Sequence, residues 1–174
     1  MGKSVQDLID SGEIKNFTIT TNSEPFRLDE TVRLDLRWLK LESLNGIEKF
    51  ENLDVLYCSE NLLTSLKGIE KLAKLRTLYC SSNKLDSLEG IEKLVKLEKL
   101  YCSFNKLTSL DGVEKLINLK ELYCYHNPCS SKYDGLSAQE IVKKVELESH
   151  LKDDDGLRGA ASISDTGLFD FKIK

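Results

Sequence analysis

A spacing of 22 residues recurs along this chain without a slip. Asn61, Asn83, Asn105 and Asn127 share one register, Cys58, Cys80, Cys102 and Cys124 a second, and Tyr57, Tyr79, Tyr101 and Tyr123 a third. A fixed period of this size is the signature of a solenoid, in which short identical units stack because none can bury its apolar side alone. The period therefore sets the fold and the mode of action, which is recognition by a surface. What that surface recognises is left open.

Aligned on the period, the units read LDVLYCSENLLTSLKGIEKLAK (53–74), LRTLYCSSNKLDSLEGIEKLVK (75–96) and LEKLYCSFNKLTSLDGVEKLIN (97–118). A fourth unit starts at Leu119 and breaks off at Pro128. A degenerate first unit, 31–52, carries Leu36 in the Cys register and Leu39 in the Asn register. These residues resemble the leucine-rich repeat pattern LxxLxLxxNxL, with Cys at the second strand position. The 22-residue length with its GIEKL segment resembles two subtypes most. One is the intracellular regulatory subunit of type-1 protein phosphatase, and the other the repeats of bacterial internalins. The resemblance implies an α/β repeat fold, a leucine-rich repeat solenoid with a short parallel concave sheet and a convex side of turns. It also makes a regulatory or scaffold role the expectation.

Both ends of a solenoid need covering, since the first strand has an open edge and the core an exposed end. Residues 1–30 read as the amino-terminal cap. Ser4 is placed to N-cap a short helix with Val5, Leu8 and Ile9 on its apolar side and Gly12 at its end. Phe17 and Ile19 then alternate with threonines as a strand, before the turn Asn22-Ser23-Glu24-Pro25. The repeats occupy 31–128. A carboxyl cap follows over 129–151, where Ser137 and Glu140 form a capping-box signature. Its helix, from Ala138 to about Leu151, carries Ile141, Val142, Val145, Leu147 and Leu151 as the stripe expected to close the last repeat. The stretch after "NP", with Tyr133, partly resembles the cap motif of intracellular leucine-rich repeat proteins, although Asp134 stands where that motif has Arg. The tail 152–174 is acidic, then rich in small residues, and reads as disordered by composition until Phe169, Phe171 and Ile173 alternate as a short strand.

Within each repeat, LxxLxC is a strand whose apolar residues alternate with outward ones. Beyond the Asn the apolar positions come every third residue (Leu63, Leu66, Ile69, Leu72, Leu75), which suits tight 3₁₀ pieces rather than an α-helix. The Cys column alternates inward and replaces a core Leu. Stacked thiols point the same way, whereas tetrahedral zinc needs ligands converging from different directions, and parallel Cβ vectors would strain a disulfide. We therefore expect plain core thiols, no metal and no cofactor, with Cys129 as the one exposed thiol. The Asn column reads as structural, its amide satisfying backbone groups of adjacent turns.

The Tyr column faces the other way. If Leu56 and Cys58 point in, then Val55, Tyr57 and Ser59 point to the concave face, and so do Thr77, Tyr79 and Ser81, then Lys99, Tyr101 and Ser103, then Glu121, Tyr123 and Tyr125. The first strand contributes Arg33, Asp35 and Arg37. At the strand exits lie Trp38, Glu60, Ser82, Phe104 and His126. Five tyrosines and the single tryptophan thus converge on one side. Cross-strand ring packing alone would account for a Tyr column. Tyr, Trp and Arg are also the usual anchors of protein interfaces, which makes this face the candidate partner-binding surface.

Composition narrows the function classes. A net charge of −4 argues against a nucleic-acid partner, whose phosphates call for a basic stripe. No apolar run reaches the length of a membrane span, and the first residues carry no secretory apolar segment, so the chain reads as soluble and cytoplasmic. The alternating Glu and Lys of the GIEK segments read as a solvated face. Asp165-Thr166-Gly167 matches an aspartic-protease triplet without a partner loop, and only two His are present, so an enzyme is not expected. The reading is a non-catalytic interaction module that binds another protein on its concave aromatic face. The alternative is a structural subunit of a larger assembly that uses 152–174 as an arm.

Overall fold

The computed structural model describes residues 2–20 and 27–154. Six strands make one sheet in chain order: β1 (Thr18–Thr20), β2 (Thr31–Asp35), β3 (Val55–Tyr57), β4 (Thr77–Tyr79), β5 (Lys99–Tyr101) and β6 (Glu121–Tyr123). Strands β2 to β6 run parallel with the repeat's own register, so that Leu34, Leu56, Leu78, Leu100 and Leu122 are neighbours, as are Tyr57, Tyr79, Tyr101 and Tyr123. Opposite the sheet, each repeat bends through a glycine into one 3₁₀ turn: Ile47–Lys49, Ile69–Lys71, Ile91–Lys93 and Val113–Lys115. The columns Leu34/56/78/100, Leu63/85/107 and Ile47/69/91 with Val113 are fully buried between the two sides. They form one continuous core with the thiols of Cys58, Cys80 and Cys102.

The Asn column clamps each repeat to the one before it. Asn105 Nδ2 donates to the carbonyls of Cys80 (3.0 Å) and Cys102 (3.1 Å), while its Oδ1 accepts from the Leu85 N–H (3.0 Å). Asn61, Asn83 and Asn127 make the equivalent bonds. Burial pushes the Cys58 thiol up to about 12 and, with Cys129 and Asp134 adding to it, Cys124 up to about 11. These are inert core groups.

The amino-terminal cap covers the first repeat twice. Helix α1 (Val5–Asp10) starts at a Ser4–Asp7 capping box, buries Val5 and Leu8, and its Gln6 N–H donates to the Asn45 carbonyl at 2.6 Å. Gly46, at φ +97°, is required there for a second reason: a Cβ would lie 2.8 Å from the Gln6 nitrogen. Strand β1 pairs antiparallel with β2, with a bulge at Ile19/Thr20, and so covers its open edge. At the other end α2 (Ala138–Asp154) begins at the Ser137–Glu140 box and buries Ala138, Ile141 and Val145.

Several expectations need correction. Leu147 and Leu151 are half exposed (48 and 50%) and do not close the core. At 100° per residue they lie on the side of α2 away from Ile141 and Val145. Cys129 is buried, not exposed: it stands 22 residues beyond Leu107 and so continues that core column, with its N–H donating to the Leu107 carbonyl. The GIEK glutamates are more than a solvated face, since Glu48, Glu70, Glu92 and Glu114 each accept from the N–H of the glycine two residues earlier, at 2.7–3.0 Å. The turn at 22–25, the alternating segment 169–173 and most of the tail lie outside the described residues.

Candidate interaction surface

Parallel in-register stacking places identical side chains directly over one another, and the Tyr column becomes a ladder of stacked rings. Centroids are 4.7 Å apart for Tyr57–Tyr79, 4.4 Å for Tyr79–Tyr101 and 5.0 Å for Tyr101–Tyr123, with planes within 10°. The ring faces of the inner members are therefore spent on each other, and these half-buried tyrosines present edges and hydroxyls. At the amino-terminal end the Arg37 guanidinium lies 5.1 Å from the Tyr57 centroid and continues the stack as a cation–π contact. Arg37 is itself held by two bonds to Asp35, 2.9 and 2.6 Å long, which keep the Asp35 carboxyl below its usual range.

The carboxyl-terminal end of the ladder is more open. Tyr123 and Tyr125 are 41 and 54% exposed and meet at a 55° tilt. Beside them Phe104, 55% exposed, stacks on His126 with centroids 4.2 Å apart. Glu121 ties the face together, accepting from the Tyr101 hydroxyl at 2.5 Å and pairing with Lys99 at 2.7 Å. Those two contacts, Lys99 first, hold the Glu121 carboxyl down, and the acceptor on Tyr101 pushes that phenol up. Arg33 and Trp38 are exposed at the opposite end.

Two predicted face residues are not presented. Val55 lies in the outward register between Arg33 and Thr77 but is only 8% exposed, and Ser103 likewise. Row neighbours on adjacent strands cover a side chain this short. A further feature was not read from the sequence. Trp38, Glu60, Ser82, Phe104 and His126 all have φ between +54 and +65°. The chain makes a left-handed step before each Asn of the ladder, and before Leu39 in the same register, without using glycine, and this step aims the variable rim residues.

The geometry defines the class: the leucine-rich repeat model in its two-copy form matches residues 51–93 and 95–138, together half of the chain, and the chain belongs to the leucine-rich repeat family. Domains of this family are protein–protein interaction modules, generally without catalysis. Among solved structures the chain is similar to the functional domain of InlJ from Listeria monocytogenes, which includes a cysteine ladder. Identity is 37% and the TM-score 0.54, over 57% of this chain and 22% of that one. It is also similar to internalin C2 of the same organism, at 27% identity and a TM-score of 0.55, over 61% of this chain and 48% of that one. The chain thus spans about a fifth and about half of these relatives. No curated protein sequence matches it. The Cys column of this chain fits the cysteine ladder of InlJ, in line with the internalin resemblance of the repeats.

Proposed function

We propose that this domain is a non-catalytic regulatory or scaffold module, acting in the cytoplasm, that binds a partner protein across its concave aromatic face. The observation that carries this reading is the stacked ladder and its open end. Rings already fixed by their neighbours lose little rotamer freedom on binding, and the exposed cluster of Tyr123, Tyr125, Phe104 and His126 offers a contiguous aromatic contact. Lys99 and Glu121 supply polar contacts beside it, and Arg33 supplies one at the far end of the face.

The test is affinity capture from the native source with wild-type bait and two double variants. Tyr79→Ala with Tyr101→Ala should stay folded and lose at least about 2 kcal/mol of partner affinity, roughly 30-fold. Lys71→Ala with Lys93→Ala, on the convex side, should bind as wild type. Loss of the partner by the convex variant while the Tyr variant retains it would assign binding elsewhere.

A further inference from the structure

Each repeat hands its backbone to the next in the same way, and the last repeat has no next. The N–H groups of Cys58, Cys80 and Cys102 donate to the carbonyls of Tyr79, Tyr101 and Tyr123, and those of Glu60, Ser82 and Phe104 to Ser81, Ser103 and Tyr125. Likewise the carbonyls of Asp54, Arg76 and Glu98 accept from the following strand. By the same register Cys124 N–H, His126 N–H and Lys120 C=O point off the outer edge of β6, and among the described residues no strand receives them. The amino-terminal edge, by contrast, is covered by β1. Side-chain burial marks the same gap: Leu34, Leu56, Leu78 and Leu100 are fully buried, while Leu122 in the same column is only half-buried. The inward side of this edge opens into a groove of about 360 Å³ lined by Leu122, Leu136 and Ile141 together with Ser130, Asp134 and Ser137.

We infer that residues 168–174 of this chain add as a further strand on the free edge of β6, with Phe169, Phe171 and Ile173 directed into that groove. The alternation LFDFKIK is that of a strand with one apolar face, and the free edge from Lys120 to His126 has the same length in residues. Inward placement of the three apolar residues leaves Asp170 and Lys172 on the concave side, in two successive rows of it. The tether is thirteen residues long. Helix α2 ends at Asp154, with Lys152 held 3.0 Å from Asp111, and the residues from 155 to 167 can span about 40 Å when extended. The inference stands independently of the partner-binding reading.

Amide hydrogen exchange in the full chain tests it. Cys124 and His126 should exchange at least about tenfold more slowly in the wild type than in a Phe169→Asp, Phe171→Asp variant. A Phe169→Leu, Phe171→Val variant, which keeps the alternation, should restore the protection. The Cys58 and Cys102 amides serve as the check that the solenoid is intact in all three. Equal exchange at Cys124 and His126 in wild type and Asp variant overturns the inference. So does protection that rises with protein concentration alongside a dimeric mass in sedimentation, because the strand would then come from a second copy.

Discussion

Replacing Asn105 by Ala removes more than its size suggests. The buried amide satisfies groups from two successive repeats: its Nδ2 serves the Cys80 and Cys102 carbonyls, and its Oδ1 is the acceptor for the Leu85 N–H. Two lost donations cost about 1 kcal/mol each, and the stranded Leu85 N–H about 1–3 kcal/mol more, giving roughly 3–5 kcal/mol. That is a third or more of the stability of an ordinary small domain. Asn83 makes the same bonds but is less buried, so water can replace part of them. Asn83→Ala should therefore cost less, by about 1 kcal/mol. Urea unfolding followed by circular dichroism, with unchanged m-values, measures both. A loss below about 1 kcal/mol for Asn105→Ala, or a larger loss at Asn83, would show that the amide column does not clamp the repeats.

The same packing sets the outcome of other substitutions. Cys80→Ser and Cys102→Ser should each destabilise by about 1–3 kcal/mol in urea titrations through the buried hydroxyl, while a chelator leaves Tm unchanged. Gly46→Ala should cost at least about 1 kcal/mol more than Gly12→Ala, because both have positive φ but only Gly46 has a neighbour, the Gln6 nitrogen, in the way. The depressed Glu121 carboxyl contributes stability above the usual Glu pKa and loses it as pH falls through its lower folded value. Glu121→Gln should therefore flatten part of the fall in Tm below about pH 4.3, and an unchanged acid limb would refute that contribution.

The repeats were legible because a strict period forces parallel, in-register stacking, and both capping boxes were legible because each needs only a local spacing. What escaped was whatever depended on the third dimension. Cys129 was readable in principle, since it continues the column of Leu63, Leu85 and Leu107. Pro128 obscured it, because proline cannot donate where Lys84 and Lys106 do, and the bond slips by one residue to Cys129. Leu147 and Leu151 were grouped with Ile141 by hydrophobicity when helix geometry puts them on the other side. The left-handed positions carry Trp, Glu, Ser, Phe and His and give no glycine signal. On the candidate surface the sequence placed the tyrosines on one face, but not that their rings stack and so present edges rather than faces.

Because the Asn clamps and strand bonds join a repeat only to its immediate neighbour, the solenoid has a natural quantum of growth. Excising residues 75–96 would bring Leu97 after Lys74, where Leu75 now stands, and each surviving backbone group, Asn amide and core side chain would meet a partner of the same kind at the same place. The face would shorten by one rung of about 4.8 Å while both caps kept their seats. The reach of this surface is therefore counted rather than tuned: it changes by whole tyrosines.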